Sequence, residues 1–301
     1  MTQQPVCIIC GNKNTTLLQE GARHDPEVKV HRCRGCGFVF LWPRPTPAEL
    51  DAYYATEYRE DYGGTPAGEQ YQKDLAEAET RVERLQPLLA AETRLLEIGS
   101  GSGAFLNKVR GHCGSVTGVE PHDGYREATL SRSKINMYAT LDEAIKDGRR
   151  FDVVVMFHVL EHIEDPAGFL QKASRVMDKG ARLGIEVPNV DDALVSVYQV
   201  PAYLEFYYQK AHLYYYSAAT LAAVLEAAGF AADINGVQRY DLSNHLRWML
   251  TGKPGGHGYY RDIFAPRADA AYADALIRSG HQDTLWAIAT KKDEGNERHD
   301  G

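Results

Sequence analysis

Short apolar runs alternate with longer amphipathic segments along the chain from about residue 93 onward. Four runs have the length and apolar content of buried strands: Arg94 to Ile98, Val116 to Glu120, Phe151 to Phe157 and Arg182 to Val187. Strands that alternate with helical segments predict a mostly parallel sheet with helices on both faces. Ligands of such sheets bind at the carboxyl ends of the strands.

The flanking segments extend the same pattern. From Tyr71 to Leu89, apolar positions recur at steps of three and four residues, which predicts a helix that packs on the core. Near the other end, Ser217 is the expected N-cap of a helix over 220–228, which Gly229 ends. Two further strands and an insertion between them are predicted at 230–237, 284–290 and about 239–282. We therefore expect an α/β fold with a doubly wound, seven-stranded, mostly parallel sheet.

A change of composition marks the start of this α/β part. Trp42 to Pro47 is a stiff, proline-rich connector, and a tyrosine-rich stretch follows it. The boundary is expected between about residues 42 and 68. The predicted parts are a small cysteine-bearing module at 1–45, a tyrosine-rich connector at 46–70, the α/β domain at 71–292 and a polar tail at 293–301.

Composition and charge exclude several classes of protein. The 301 residues are 44% apolar and 25% charged, which is typical of globular chains. The net charge of −8 lacks the positive footprint of general nucleic-acid binding, so nucleic acid is not expected as a partner. No apolar run approaches the roughly 20 residues of a membrane span, and the N-terminus does not resemble a secretion signal. We expect a cytoplasmic protein with no membrane partner, for which a homodimer is one option.

Four of the five cysteines form two pairs near the N-terminus. Cys7 and Cys10 enclose two residues and precede a glycine, and Cys33 and Cys36 repeat this pattern. In a reducing compartment, the spacing favours a closed zinc site with four sulfur ligands and a structural role, similar to a zinc ribbon. So small a module needs a metal ion to stabilise its fold, because it cannot bury enough apolar area alone. A redox dithiol pair and an RNA-binding ribbon are the alternative interpretations.

The first strand of the α/β part ends in a glycine-rich turn, Glu97-Ile98-Gly99-Ser100-Gly101-Ser102-Gly103, and helical residues follow. The glycines allow the backbone to turn sharply and to approach a ligand closely. Glu120 ends the second strand about 20 residues later, where a carboxylate can accept hydrogen bonds from both ribose hydroxyls. Together these features indicate a nucleotide-type ligand, and they leave a nicotinamide-dependent dehydrogenase open.

Four motifs in this order resemble those of the class I S-adenosylmethionine-dependent methyltransferases. They are the glycine-rich turn, Glu120, the segment from Phe151 to Ile163, and Glu186-Val187-Pro188-Asn189. The resemblance covers about residues 70–290 and implies a Rossmann-like fold with S-adenosylmethionine as cofactor. It implies that the first motif holds the methionine part, Glu120 the ribose, and that residues 140–142 lie near the adenine. The cofactor-binding residues that it implies are Glu97, Gly99, Ser100, Gly101, Gly103, Glu120, Pro121, Leu141, Phe157 and His158.

A polar group, His158-x-x-Glu161-His162, follows the third of the four apolar runs. Beside a reacting methyl group, a histidine can take a proton from an attacking hydroxyl. We assign His162 as the general base, Glu161 as its orienting partner, and His158 as a cofactor-side or acceptor contact. Two alternatives are that His162 only bonds a loop backbone, and that the group binds a divalent cation. The letters also match a zinc-peptidase motif, which the strand and turn context disfavours.

Tyrosines are dense between residues 198 and 216. Their flat faces and hydroxyl tips suit a lid over a polar acceptor such as a sugar, and packing between helix and sheet is the alternative. The cysteine module and the segment from His212 to Ser217 also resemble methyltransferases that act on sugars and polyketide-like metabolites. The candidate acceptor residues are Tyr58, Tyr208, His212, Arg247 and His257.

The leading hypothesis is methyl transfer to an oxygen of a small polar acceptor, namely a sugar, a nucleotide-linked sugar, a polysaccharide or a natural-product precursor. C- or N-methylation of such a metabolite is the first alternative. The others are an RNA base methyltransferase that docks through its cysteine module, and a non-catalytic cofactor-binding module.

Overall fold

The computed structural model describes residues 4–46, 49, 53 and 65–292. Its strands are β1 (Thr15–Ala22), β2 (Asp25–Cys33), β3 (Val39–Trp42), β4 (Arg94–Ile98), β5 (Ser115–Val119), β6 (Asn136–Tyr138), β7 (Phe151–Phe157), β8 (Met177–Pro188), β9 (Tyr214–Tyr215), β10 (Phe230–Val237) and β11 (Thr284–Lys291). Most of the predicted connector and the whole predicted tail lie outside the described residues.

The helices of the described ranges flank these strands. They are α1 (Ala67–Leu85), α2 (Ala104–Val109), α3 (Asp123–Ser133), α4 (Leu141–Asp147), α5 (Pro166–Ala173), α6 (Ala193–Ser196), α7 (Pro201–Tyr207), α8 (Ala218–Ala227), α9 (Leu242–Thr251) and α10 (Pro266–Ser279). None of these helices combines the length and the apolar character that crossing a bilayer requires.

The main sheet has seven strands in the order β10, β11, β8, β7, β4, β5, β6. Neighbouring strands are parallel, except that β11 runs antiparallel to both β10 and β8. The predicted doubly wound α/β fold is therefore confirmed. The predicted runs at 151–157 and 230–237 coincide with β7 and β10, whereas β6 has only three residues and left no pattern to detect.

Apolar layers cover both faces of the main sheet. Leu96 belongs to one layer, with side chains of α5 and α8, whereas Leu95 belongs to the other, with side chains of α1 and α2. Successive residues of a strand point to opposite faces, so β4 is buried on both. Helix α1 ends at Leu85, earlier than predicted, because the chain tightens into a 3₁₀ turn that contains Pro87.

A second, antiparallel sheet contains the N-terminal strands, in the order β1, β2, β3, β9. Strand β9 belongs to the tyrosine-dense segment between residues 198 and 216, and its Tyr214 pairs with Phe40. The ring of Phe38 packs near those of Tyr214 and Tyr216, at centroid distances of 5.4 and 5.6 Å. The cysteine-bearing strands therefore share a sheet with a segment far along the chain, which the sequence did not reveal.

Candidate functional site

A cavity of about 1030 Å³ opens at the carboxyl ends of β4, β5 and β7. Its walls include the glycine-rich turn after β4, Glu120 and Pro121 after β5, and His158 after β7. Of the ten residues expected to bind a cofactor, only Gly103 is absent from these walls. The cavity occupies the edge at which ligands of doubly wound sheets bind.

The glycine-rich turn needs its glycines for two reasons. Gly99 and Gly103 have φ angles of +76° and +74°, and a Cβ on them would lie 2.4 Å from side-chain atoms of Val159 and Thr129, respectively. Gly101 also has a positive φ, but a Cβ there would meet nothing within 4 Å. Gly103 therefore serves the close packing of α2, whereas Gly101 leaves space that a ligand can enter.

Glu97 is a buried acid without a full set of partners. It is 3% exposed and lines the cavity, and its Oε2 accepts no hydrogen bond. Burial raises the pKa of the Glu97 carboxyl well above its ordinary value, against the effect of Arg81 and with help from Glu120 and Asp74. The buried hydroxyl of Ser100 also lacks a partner. Such groups are costly unless a bound donor or cation satisfies them.

Glu120 is held in place by the main chain. Its Oε2 accepts from the N–H of Gly101 at 2.8 Å, and its Oε1 accepts from the N–H of His122 at 2.9 Å. Each carboxylate oxygen keeps a further lone pair after these bonds. The side chain can therefore accept hydroxyl hydrogens from a ligand without moving.

Helix α1 contributes side chains that the sequence did not predict for the site. Gln70, Asp74 and Arg81 all line the cavity. Asp74 accepts from Gln70 at 2.7 Å and from Ser102 at 2.5 Å, which ties the helix to the glycine-rich turn. The Arg81 guanidinium lies 4.3 Å from the ring centroid of Phe157. The amphipathic pattern located the buried face of α1, but it could not show which polar residues border a cavity.

A buried ion-pair network stands at the end of β8. Glu186 is 1% exposed and lies 2.7 Å from Arg81 and 2.6 Å from Arg84. Burial opposes ionisation of Glu186, but His158, Arg81 and Arg239 outweigh it and hold the pKa of this carboxyl well below its ordinary value. Arg239 was also missed, because no motif surrounds it in the sequence.

His158 joins this network in a strained conformation, with a φ of +55°. Its Nδ1 lies 3.2 Å from Glu161 Oε1, and its Nε2 lies 3.1 Å from Glu186 Oε1 and 2.7 Å from Arg239 Nη1. Burial and Arg239 favour the neutral ring, but Glu161 and Glu186 outweigh them and raise the pKa of His158. A neutral ring donates to Glu161 and accepts from Arg239, whereas a protonated ring donates to both carboxylates.

Glu161 is fully buried in a 3₁₀ turn at Leu160–His162. Its hydrogen bond goes to His158, not to His162 as the assigned roles anticipated, and its Oε2 has no partner. Burial opposes its ionisation, but His158, His162 and His212 lower the pKa of the Glu161 carboxyl to about 2. Glu161 is therefore an anion that faces three imidazole rings.

His162 lines the cavity, and its Nδ1 lies 2.8 Å from the carbonyl oxygen of Ala211. A carbonyl oxygen can only accept, so Nδ1 carries the hydrogen and the neutral ring has its lone pair on Nε2. Burial lowers the pKa of His162, against the attraction of Glu161. This backbone bond is the alternative to a base role that the sequence left open, and it also fixes the tautomer that a base requires.

His212 stands edge-on to His162, with ring centroids 4.8 Å apart and planes at 86°. One ligand atom each of Glu161, His162 and His212 lies within 4.8 Å of the other two. His158 belongs to a different group, with Glu77 and Glu186. The predicted trio of His158, Glu161 and His162 therefore spans two neighbouring clusters, which the His158–Glu161 hydrogen bond connects.

Most tyrosines of the dense segment are core residues, whereas Tyr198 is exposed. Tyr207, Tyr208, Tyr214, Tyr215 and Tyr216 are each no more than 9% exposed. The rings of Tyr207, Tyr208 and Tyr215 contact one another at centroid distances of 5.0 to 5.4 Å. None of the five lines the cavity. They pack between sheet and helices, which is the alternative to a lid that the sequence left open.

The remaining acceptor candidates lie elsewhere. Arg247 donates to the carbonyl of Pro254, and the largely exposed His257 lies 3.4 Å from Asp241. Neither residue lines the cavity, nor does His212. Tyr58 lies outside the described residues. None of the described acceptor candidates therefore lines the cavity.

The four N-terminal cysteines converge as their spacing predicted. Their sulfur atoms all lie within 4.8 Å of one another. Cys7 and Cys36 approach to 3.5 Å, and Cys10 and Cys33 to 3.4 Å. Four sulfurs at about 2.3 Å from one tetrahedral zinc ion would be about 3.8 Å apart. The cluster has the size and donor set of a four-sulfur zinc site.

Comparisons with known proteins agree with this geometry. Residues 68–233 match the methyltransferase domain family. The chain is 24% identical over 183 residues to the ubiquinone biosynthesis O-methyltransferase of Azorhizobium caulinodans, which covers 54% of this chain and 72% of the relative. It is 28% identical over 166 residues to the enzyme of the same name from Aeromonas salmonicida, which covers 51% and 70% of the two chains.

Solved structures show the same fold. A chain from the complex between the Haloferax volcanii Trm112 methyltransferase activator and a methyltransferase is 13% identical, with a TM-score of 0.51, and the match covers 81% of this chain and 98% of that one. The plantazolicin methyltransferase BpumL in complex with SAH is also 13% identical, with a TM-score of 0.50 and coverage of 81% and 93%.

Proposed function

The chain belongs to the methyltransferase domain family, and from this premise we propose that it transfers a methyl group from S-adenosylmethionine to a hydroxyl oxygen of a small polar molecule. One observation carries the proposal: the unsatisfied carboxylate of Glu97 and the ring of His162 line the same cavity. When bound, S-adenosylmethionine supplies an electrophilic methyl group on a sulfonium centre.

The residues of the cavity fit this cofactor. Glu97 offers an unpartnered carboxylate oxygen to its positive charge, and Glu120 offers lone pairs to the ribose hydroxyls. The space above Gly101 admits the ligand close to the backbone. Ala139 and Leu141 line the part of the cavity that we assign to the adenine. Ser100, Pro121, Phe157 and His158 complete the proposed binding residues.

Methyl transfer to a hydroxyl requires a group that takes the hydroxyl proton. As the new C–O bond forms and the C–S bond breaks, the proton passes to Nε2 of His162. The Ala211 carbonyl holds the ring in the required tautomer, and the Glu161 anion stabilises the positive charge that the ring gains. His158 is the proposed contact between this group and the cofactor side of the cavity.

Two acceptor classes have support. A sugar or nucleotide-linked sugar follows from the resemblance of the cysteine module and the His212 segment to sugar methyltransferases. The curated relatives are named for O-methylation in ubiquinone biosynthesis, which favours a hydroxylated ring compound as the second candidate. Both classes present a hydroxyl to the same proposed base, so the chemistry is common to them.

An acceptor panel tests the proposal. The full chain is incubated with S-adenosylmethionine that carries a labelled methyl group and with nucleotide-linked sugars or hydroxylated ring compounds of ubiquinone biosynthesis. We expect the label to appear on an oxygen of a member of one class, located by NMR of the product. Label on carbon or nitrogen, or no transfer to any member of either class, would contradict the proposal.

We also propose that residues 1–45 form a zinc-stapled structural module, with the methyltransferase domain at 71–292. Four cysteine sulfurs leave no open coordination position on a tetrahedral ion, so the metal would act on stability and not on the reaction. No residue of β1 is fully buried, so the module has a small core, and a metal compensates for this. The sheet shared with β9 supports a role in shaping the catalytic part.

A further inference from the structure

The turn between β1 and β2 reaches the neighbourhood of the proposed base. Arg23 in this turn donates its N–H to the carbonyl of Tyr208 at 2.7 Å, and its carbonyl accepts from Lys210 at 2.9 Å. These bonds form a short parallel bridge between Arg23 and Gln209. The N-terminal sheet is thereby anchored to the chain three residues before His212.

Side chains continue this contact toward the cavity. The Arg23 guanidinium lies 4.1 Å from the ring centroid of Phe206, and its Nη2 donates to Gln209 Oε1. With its oxygen held in this way, the Gln209 amide places its nitrogen 2.6 Å from His212 Nε2. An amide nitrogen only donates, so Nε2 of His212 accepts and the neutral ring carries its hydrogen on Nδ1.

His212 is the immediate neighbour of His162. The two rings are perpendicular at 4.8 Å, and both face the buried Glu161. Burial and His162 hold the pKa of His212 well below its ordinary value, and Arg23 and His158 act in the same direction against Glu161. The charge on His212 therefore bears directly on whether His162 can accept a proton.

We propose that Arg23 is a positioning residue for methyl transfer, because it fixes, through Gln209, the neutral tautomer of His212 beside His162. The inference rests on the proposed function, in which His162 takes the acceptor's proton. A neutral His212 adds no second positive charge when His162 becomes a cation. Without Arg23, the Gln209 amide can turn its oxygen toward His212, which favours a hydrogen on Nε2 and a protonated ring.

Long-range ¹H–¹⁵N spectra of the full chain labelled with [¹⁵N]histidine test this directly, with signals assigned by loss in His212→Gln and His162→Gln. We expect a wild-type His212 that stays neutral with hydrogen on Nδ1 between about pH 5 and 8. In Arg23→Met, which keeps the apolar contact with Phe206, hydrogen moves to Nε2 and the midpoint of protonation rises by about one unit or more. Arg23→Lys restores the wild-type pattern.

Arg34→Met is the matched control, since Arg34 belongs to the same N-terminal sheet but lies at the opposite end of the β1–β2 hairpin, where it donates to Thr16; it leaves the His212 signals unchanged. Gln209→Leu removes the amide donor to His212 Nε2 but keeps the main-chain bridge, so hydrogen is no longer confined to Nδ1 and the His212 signals depart from wild type. This variant tests the inference even if Arg23→Met unfolds. Wild-type His212 signals in both Arg23→Met and Gln209→Leu would overturn the inference.

Calorimetric titration of the same variants with S-adenosylmethionine separates this inference from the proposed function. We expect the dissociation constant to stay within about twofold of wild type, because Arg23 and Gln209 do not line the cavity. If the wild type does not bind S-adenosylmethionine, the proposed function is contradicted, whatever the spectra show. A loss confined to Arg23→Met and Gln209→Leu contradicts the positioning role, because these residues would then act on the cofactor.

Discussion

Several buried side-chain oxygen atoms near the proposed site lack a hydrogen-bond partner. Glu97 Oε2, Ser100 Oγ and Glu161 Oε2 are each buried without a hydrogen-bond partner. Native proteins rarely leave such groups unsatisfied, because each one costs about 1–3 kcal/mol or more. The cost is offset when a ligand supplies the missing donor or charge. Glu97 and Ser100 line the cavity, so a ligand there can satisfy them, whereas Glu161 does not line it.

The base role of His162 predicts a kinetic effect that leaves cofactor affinity intact. In His162→Asn, the amide can still donate to Ala211, but the lone pair of Nε2 is gone. Loss of general-base catalysis corresponds to a fall in kcat of about 10²- to 10⁴-fold. The dissociation constant of S-adenosylmethionine, measured by calorimetry, stays within about twofold, since the proposed partner of the cofactor charge is Glu97 and not His162.

Exposed His112 provides the control, as His112→Asn alters a histidine remote from the cavity walls. Equal losses of turnover and affinity in His162→Asn would instead make this ring a cofactor contact. An unchanged kcat would remove it from the reaction.

Local motifs predicted those residues of the site that lie at the ends of strands. Glu97 and Glu120 follow from strand ends and their spacing, and the structure places both on the cavity wall. Arg81 and Arg239 could not be predicted, because they reach Glu186 only through tertiary packing of α1 and of the insertion. The pairing of Glu161 with His158 depends on a positive φ that no sequence signal announces.

At the scale of elements, the strength of the pattern decided what was predictable. Strands β4 and β7 are buried on both faces and appear as mainly apolar runs in the sequence, each interrupted by a charged residue such as Glu97 or Asp152. Strands β6 and β9 have three and two residues, too few for any periodicity. The helix over 220–228 was predicted with its cap, because Ser217 and Thr220 form a local capping box.

Helix α6 carries a pH-dependent element. Asp192 caps it, accepts from Leu194 at 2.7 Å and from Tyr203 at 2.8 Å, and is 1% exposed. Burial, with Asp283 nearby, raises the pKa of Asp192 from 3.8 to about 7. The folded state thus binds the proton more tightly than the unfolded state. The resulting stabilisation is full below about pH 4 and is lost as the pH rises to about 7.

Urea unfolding at pH 5 and pH 8 measures this loss. One pKa unit corresponds to about 1.4 kcal/mol, so Asp192 accounts for about 2–4 kcal/mol of the decline in unfolding free energy over this range. In Asp192→Asn, which cannot ionise, the decline is smaller by that amount. The exposed Asp262→Asn keeps the wild-type decline. An equal decline in Asp192→Asn and wild type would show that Asp192 ionises at its ordinary pKa.

At the scale of the whole molecule, the two sheets are connected through the tyrosine-dense segment between residues 198 and 216. Strand β9 is the last strand of the N-terminal sheet. Just before it, the N–H of Leu213 donates to the carbonyl of Glu161, and the carbonyl of Leu213 accepts from the N–H of Leu41. Leu213 thereby connects the N-terminal sheet to the turn that holds Glu161. The sequence predicted a separate cysteine module and the order of the parts. It could not predict this junction, because strand pairing between residues so far apart leaves no local pattern.

The zinc proposal predicts one zinc ion per chain by elemental analysis. Cys10→Ser and Cys33→Ser each remove a ligand, so they lower the zinc content to near zero and lower the melting temperature. Cys113→Ser serves as the control, since Cys113 lies outside the cluster, and it keeps one zinc per chain. A wild-type chain without zinc, or variants that keep it, would exclude a four-sulfur zinc site.

The central claim is that the cavity beside Glu97 binds S-adenosylmethionine, and calorimetric titration of the full chain tests it most directly. We predict one site per wild-type chain, and a dissociation constant that rises about 10- to 100-fold in Glu97→Gln, since a buried charge pairing is worth about 1.5–3 kcal/mol. The exposed Glu83→Gln on α1 binds as wild type does. No binding by the wild type, or unchanged binding in Glu97→Gln, would contradict the account.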